Sequence, residues 1–504
     1  MMEFIGHAGQ GFATALSPQT LLFCFLGVTA GTFIGVLPGI GPLATIAMLL
    51  PLTFYLDPTT AIIMLAGIYY GSQYGGSTAS ILLNLPGTAG ASVTCLDGYP
   101  MARAGRAGVA LCITTIASFA GGCFAIVVMA VLSPALSKFA LVMTSADYFA
   151  LMLLGMVAAV TLIGDAPLKG LAMVVFGLLV GLMGTDTISG QIRFAFDMPY
   201  LYDGLPLVLV AMGMFGASEV IASIGSDSAE WLAKQKITLR SLMPTREDMR
   251  RSHAPIWRGS ILGSLVGVLP GAGSTIAAFM AYAVEKRVGP NRDSLGSGIV
   301  EGVAAPESAN NAASQTALIP ALTLGVPGDA TSALMLGALL IHGIAPGPTL
   351  IPQHPEIFWG LLASFWIGNL ILLILNLPLV GLWVSMLKIP YHILYPGILV
   401  FIAIGIYSVN SSHVDVIMVG VLGVLGYALS LLKFPIAPLL LGYILGPLME
   451  ANLRRSLLIS GGDVSIFWQQ PLTLTIMLLA LILLLLPLAT KGWRRRLAKE
   501  LPQD

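Results

Sequence analysis

Gly27-Val-Thr-Ala-Gly31-Thr-Phe-Ile-Gly35-Val-Leu-Pro38-Gly39-Ile-Gly41 decides the fold, because the chain says it twice. Its second occurrence is Gly259-Ser-Ile-Leu-Gly263-Ser-Leu-Val-Gly267-Val-Leu-Pro270-Gly271-Ala-Gly273, and every glycine and the proline recur 232 residues later (27 with 259, 38 with 270). Downstream, Asn84-Leu-Pro86-Gly87-Thr88 parallels Gly325-Val-Pro327-Gly328-Asp329 at a distance of 241 residues (86 with 327). Repetition on this scale means two related halves. Glycines four apart line one helix face and suit close packing in lipid. Packing leaves the Pro-Gly-x-Gly unexplained, because proline removes a helical hydrogen bond and clashes with the preceding turn. In hydrocarbon the freed backbone groups need partners in protein or in a water-filled cavity. A helix broken at the same place in both halves points to a transporter's central site.

The surroundings are apolar enough for that reading. Of 504 residues, 56% are hydrophobic and 10% charged, and mean hydropathy is +0.89. Soluble domains carry roughly 25% charged residues. Apolar runs lie near 17–37, 107–136, 145–163, 167–184, 204–222, 357–387, 393–408, 414–432, 435–449 and 472–490. About 20 such residues cross a bilayer as a helix. The expected fold is an all-α polytopic membrane protein with about twelve transmembrane or partial spans. Residues 1–15 hold no Lys or Arg, so no cleaved signal peptide is expected. The four cysteines lack paired spacing and read as buried thiols.

Charge distribution sets the expected topology. Residues 222–258 are polar and basic, with Lys234, Lys236, Arg240, Arg246, Arg250, Arg251 and Arg258, and the tail holds Lys491, Arg494, Arg495, Arg496 and Lys499. Both read as cytoplasmic. Lys286, Arg287 and Arg292 follow the second Pro-Gly element, and nothing basic follows the first; Arg103 and Arg106 reverse that pattern after the next element. Equivalent points of opposite basicity suit inverted repeats. The divisions expected are 1–225 (first repeat), 226–258 (polar linker), 259–450 (second repeat) and 451–504 (last span and basic tail). Because both flanks of 259–284 are basic, that segment is expected to turn back at Pro270-Gly271.

Two polar stretches would carry the chemistry. The first runs from Tyr70 through Ser72, Tyr74, Gly75, Ser77 and Asn84 to Pro86-Gly87-Thr88. The second runs from Glu301 through Glu307, Ser308, Asn310, Asn311 and Gln315 to Pro327-Gly328-Asp329. Each reads as a re-entrant hairpin with a Pro-Gly turn at its tip. Residues 27–96 hold one charged residue, Asp57, and no cation, so an anion there would be bound by backbone N–H groups and neutral side chains. The expected substrate site is Pro38, Gly39, Gly41, the Ser72–Thr88 residues just named, Pro270, Gly271, Gly273, Ser274, Thr275, Ser308, Asn310, Asn311, Gln315, Pro327 and Gly328.

No Lys or Arg lies between Asp293 and Lys388, so Glu301, Glu307 and Asp329 need a proton, a bound cation or a partner from elsewhere. Glu307 and Asp329 are the candidates for a coupling Na+ or H+. The structural alternatives are wet helix starts for Glu301 and Glu307 and an N-cap for Asp329. Asp97 and His342 read as structural. The HExxH, GxSxG and GxxxxGK[ST] patterns are absent. No enzyme, cofactor or nucleic-acid partner is expected, and energy would come from an ion gradient. A channel, a stand-alone carrier, an intramembrane enzyme and a scaffold subunit are the competing readings.

The two Gly-x-x-x-Gly-x-x-Pro-Gly segments resemble the large membrane subunit of tripartite tricarboxylate transporters, the TctA family. Gly-Ser-x-Tyr-Gly-Gly-Ser (71–77), Asp97-Gly-Tyr-Pro-Met-Ala-Arg103, Pro306-Glu-Ser-Ala-Asn310-Asn311 and His342-Gly-Ile-x-Pro-Gly-Pro348 strengthen the likeness. The resemblance implies a bacterial inner-membrane importer of carboxylates such as citrate, driven by sodium or protons. It implies a periplasmic substrate-binding protein and a small membrane subunit of about four spans as partners, and an elevator-type carrier with paired hairpins.

Overall fold

The computed structural model describes residues 2–37, 41–163, 167–186, 189–223, 239–386 and 391–500; Pro38 and Gly39 lie outside them. Ten helices position the site: α1 (Pro18–Val36), α2 (Pro42–Thr53), α3 (Pro58–Leu83), α4 (Ala107–Ala140), α5 (Arg246–Gly267), α6 (Gly273–Val288), α7 (Glu301–Thr316), α8 (Leu318–Leu324), α9 (Ala330–Ile341) and α10 (Pro355–Asn376). Proline at the first turn starts α1, α2, α3 and α10, where its missing N–H costs nothing. Asp57 caps α3 by accepting from the Thr60 N–H at 3.0 Å. Reciprocal capping boxes start α5 (Thr245 with Asp248) and α9 (Asp329 with Ser332).

The chain is a multi-pass, helical membrane protein. Among the described residues, four helical stretches are long and apolar enough to cross a bilayer: Pro18–Val36, Cys95–Ala140, Pro355–Asn376 and His413–Leu431. Seven shorter apolar helices join them. Among the described residues the only strands form a two-residue ribbon, Gly184–Thr185 against Ile192–Arg193.

Contacts divide the chain into two units. The larger comprises 1–140, 206–269 and 273–428. Within it α1 packs on α3, and α5 on α7, by one device. A Cβ added at Gly27, Gly31 or Gly35 would come closer than 3.0 Å to the main-chain oxygens of Met64, Ile68 and Ser72. Gly259, Gly263 and Gly267 meet those of Ala305, Ala309 and Ala313 in the same way. Each partner in the second half lies 241 residues beyond its partner in the first (64 with 305, 72 with 313). Side chains larger than hydrogen cannot fit, so the backbones themselves are in contact.

The smaller unit comprises 141–205, 270–272 and 429–504. It repeats the device: Gly177 and Gly181 press on the carbonyls of Leu439 and Tyr443. Arg193 pairs with Glu450 at 2.8 Å, and Arg454 with Asp186 at 3.0 Å.

The polar stretch before the second repeat is partly helical. α5 runs unbroken from Arg246 to Gly267, so the division at 258/259 falls inside it. After α5 the chain turns, with Gly271 at φ +77° and Gly273 at φ +62°. α6 then packs back on α5. Arg258 therefore reaches Glu285 through Nε at 3.0 Å and Nη2 at 2.7 Å. This reversal lets both basic flanks share one end of the hairpin.

Candidate polar crossing between the two arms

Each half presents a long helical arm ending in a left-handed residue. The first arm is α3, 26 residues long, closed by Asn84 at φ 59°, ψ 25°. The second is α7 and α8, 16 and 7 residues joined through Ala317, closed by Gly325 at φ 69°, ψ 18°. Asn84 and Gly325 are equivalent at the 241-residue spacing. Asparagine and glycine are the residues that tolerate this conformation at a helix C-terminus. Pro86 and Pro327 follow and prevent the helices from continuing.

The arms cross reciprocally. Tyr69, on the first arm, donates to Asp329 Oδ2, beside the second turn. Ser274 lies beside the Tyr69 hydroxyl, and Gly273 lies against the Asp329 side chain. Asn310, equivalent to Tyr69, faces the first turn. Its Nδ2 donates to Gln73 Oε1 at 3.2 Å, the same atom takes the Thr88 hydroxyl at 3.1 Å, and its Oδ1 lies against Gly90. Thr88 is in turn equivalent to Asp329. So arm one meets turn two, and arm two meets turn one.

A carboxylate lies beside the crossing. Glu307, 1% exposed on α7, accepts from the Ser77 hydroxyl of α3 at 2.7 Å, from Thr94, and from the Ser118 hydroxyl of α4 at 3.3 Å. Asn311, one turn on, donates Nδ2 to Ser118 at 2.7 Å and to the Glu307 carbonyl at 3.1 Å. Among the described residues no Lys, Arg or His pairs with Glu307, and no three of His, Cys, Asp and Glu converge anywhere. The side-chain oxygens of Asn310, Asn311 and Gln315 are buried without a hydrogen-bond donor. Tyr74 donates to Asn369 of α10 at 3.3 Å.

Other carboxylates find partners that sequence proximity hid. Glu301 is held by Arg251 through two 2.8 Å bonds and by Asn291. Asp97 is fully buried, accepting from the N–H groups of Gly296, Gly298 and Ile299 and from the Tyr282 hydroxyl. Asp329 caps α9, its Oδ1 taking the Ser332 N–H at 2.7 Å. His342 sits at the C-cap of the same helix. At the polar start of α5, outside the spans, burial raises the Asp248 carboxyl, but bonds from Arg106 and Thr245 outweigh it and hold its pKa below the usual range.

The expected site residues therefore separate by position. Ser77, Thr88, Ser274, Asn310 and Asn311 belong to the crossing or to the Glu307 cluster, Gly273 adjoins it, and Gln315 lies two turns farther along α7, buried beside Gly122. Gly75 presses on the Thr32 carbonyl and Gly87 on that of Gly35. Ser72 bonds back to Tyr69 O, and Ser308 to Ala305 O against Gly259. Those four lie in the helix seams. Gly41 caps α2, Thr275 follows Ser274 on α6, and Pro270 and Gly271 form the α5–α6 turn. Asn84 and Pro86 are exposed, whereas Pro327 and Gly328 are buried, the latter against Ala317. Tyr69, Gln73, Thr94, Ser118 and Asn369 had not been singled out. Their signal was that of lone polar residues in small or apolar runs. The apolar cavities of about 310 and 410 Å³ lie elsewhere, lined respectively by Phe12 and Trp359 and by Tyr407 and Ile417.

A helical membrane protein with two glycine-seamed arms crossing at polar turns defines a transporter-like class. The family description "Tripartite tricarboxylate transporter TctA family" matches residues 21–441, and this chain belongs to that family. It is 48% identical over 490 residues to an uncharacterized 52.8 kDa protein in the TAR-I ttuC' 3' region of Agrobacterium vitis, covering 97% of both chains. It is 52% identical over 226 residues to an uncharacterized protein in the TAR-II ttuC' 3' region of the same organism, covering 45% of this chain and 93% of that one. No solved structure matches.

Proposed function

We propose that this chain is the large transmembrane subunit of a binding-protein-dependent, ion-coupled secondary transporter importing tricarboxylates or related organic carboxylates across a bacterial inner membrane. The reciprocal crossing of arms and turns carries this reading. Carriers built from inverted repeats hold their substrate where the repeats meet, at interrupted helices. Here the meeting point offers hydroxyls, amides and helix ends without a fixed cation, and its one carboxylate, Asp329, is already engaged by Tyr69 and the Ser332 N–H. A carboxylate in transit is held by N–H and O–H donors around Ser274, Thr88 and the two Pro-Gly turns. The polar groups bond one another closely, so substrate entry requires the turns to part. A periplasmic binding protein delivers the solute, and a small membrane subunit of about four spans completes the complex.

The test is uptake of a labelled tricarboxylate by proteoliposomes holding the full chain, its small subunit and the binding protein. Saturable uptake that needs the binding protein and an ion gradient is expected. Gly271→Val, which forces a β-branched residue to φ +77°, should abolish uptake while leaving membrane insertion intact. Unsaturable ion flux would make the protein a channel, and full uptake without the binding protein would make it a stand-alone carrier.

A further inference from the structure

The carboxylate of Glu307 and the unpartnered carbonyl of Asn311 need a common explanation. A carboxylate buried in a membrane protein, facing neutral groups only, is costly and tends to be functional. Three hydroxyls from three separate segments converge on it. The orientation of Asn311 is fixed, because the Glu307 main-chain carbonyl can only accept and so must face the amide nitrogen. Its Oδ1 is thereby left without a donor beside the cluster, in a side chain 1% exposed. Gln315, one further turn along the stripe 307–311–315, repeats the condition with Oε1.

We propose that Glu307, Asn311, Ser118 and Ser77 form a binding site for a monovalent, sodium-sized cation, with Thr94 closing it. The oxygen set is what a hard cation takes: one carboxylate, an amide carbonyl and hydroxyls. Its charge selects the valence. One carboxylate neutralises a monovalent ion, whereas a divalent ion would leave a net positive charge buried. A proton would neutralise Glu307 too, but would leave the carbonyl of Asn311 unsatisfied. The hydroxyls can make room. Ser77 already lies 3.2 Å from the Gln73 carbonyl as well as 2.7 Å from Glu307. Turning its hydrogen to Gln73 points a lone pair at the ion, with no change of backbone. Helices α3, α4 and α7 all contribute, and the first turn is bonded to α7 through Gln73 and Asn310, so occupancy of the site draws both halves together. As a binding site the assignment stands alone; as the coupling site it rests on the transport reading above.

Thermal unfolding of the purified full chain in detergent, with NaCl, KCl or choline chloride at constant ionic strength, provides the test. Sodium should raise the unfolding temperature saturably, and potassium and choline should not. Glu307→Gln keeps the shape and removes the charge, and should abolish the sodium response. Asn311→Ala and Ser118→Ala should raise the half-saturating concentration by about tenfold each, which keeps the test decisive where the Glu307 variant does not fold. Equal unfolding in all three salts, or an unchanged sodium response in the variants, overturns the site. Carboxylate uptake driven by protons alone, without any sodium response, discards the cation site and leaves the transporter standing. A sodium response without uptake does the reverse.

Discussion

The two turns share a plan and differ in chemistry. In the first, Asn84, Leu85 and Pro86 are exposed; in the second, Gly325, Val326, Pro327 and Gly328 are all buried. The first is tied by neutral groups, Thr88 to Gln73, whereas the second is tied by a carboxylate, Asp329 to Tyr69. The arms differ likewise. Glu307 of the second has Ala66 as its counterpart in the first. The common plan supplies geometry, namely glycine seams and left-handed arm ends. Charge is then added on one side only. A repeated sequence pattern can thus keep the same backbone plan while its two turns and arms differ in charge.

Three experiments would break or sharpen that comparison. The largest effect should come from the shared part. Gly31→Val and Gly263→Val each push a side chain into a main-chain carbonyl that cannot retreat without separating the helices. Overpacking of this kind should cost about 3 kcal/mol, the upper end of the usual range. Detergent-soluble monodisperse protein should fall sharply and equally for both variants. Tolerance of one and not the other would show that the seams are not equivalent.

Next comes a pair confined to the second half. Arg258→Ala leaves Glu285, itself 1% exposed, without its ion partner. Breaking such a pair should cost about 3 kcal/mol, the low end of the buried range because Arg258 is itself a third exposed. Arg250→Ala, which removes an exposed partner of Glu247, should leave the unfolding temperature unchanged. Equal effects would mean that α5 and α6 are not held by the buried pair.

The smallest contrast compares the turns directly. Asp329→Ala removes an N-cap and the Tyr69 bond, at about 1–2 kcal/mol. Thr88→Ala removes one neutral hydrogen bond, at about 1 kcal/mol or less. Unfolding temperatures should rank in that order, and the reverse order would place the tighter lock in the first half.

Much of the geometry was legible in the residues themselves. Glycines four apart, doubled across the chain, announced the seams, and Pro-Gly announced the turns, because both are backbone requirements that a sequence states locally. The α5–α6 reversal followed from basic flanks that one crossing could not reconcile. Partnerships across long separations were not legible. Arg251 reaches Glu301 over 50 residues, and Ser77 reaches Glu307 over 230. Nothing local marks Ser118 or Asn369 within an apolar helix, since a lone hydroxyl or amide there can equally bond its own backbone, as Asn376 does to Leu372. Of the two carboxylates expected to hold a cation, Glu307 sits among three hydroxyls, and Asp329 caps α9 and takes the Tyr69 hydroxyl.

A seam made of glycine against carbonyl has no rotamers to reshuffle. Where ordinary helix pairs can slip by small side-chain adjustments, α1 with α3 and α5 with α7 fit in one register only, and each pair is therefore a stiff plank. Conformational freedom is left to the backbone outside the seams, at Gly271 and Gly273 with their positive φ and at the left-handed ends Asn84 and Gly325.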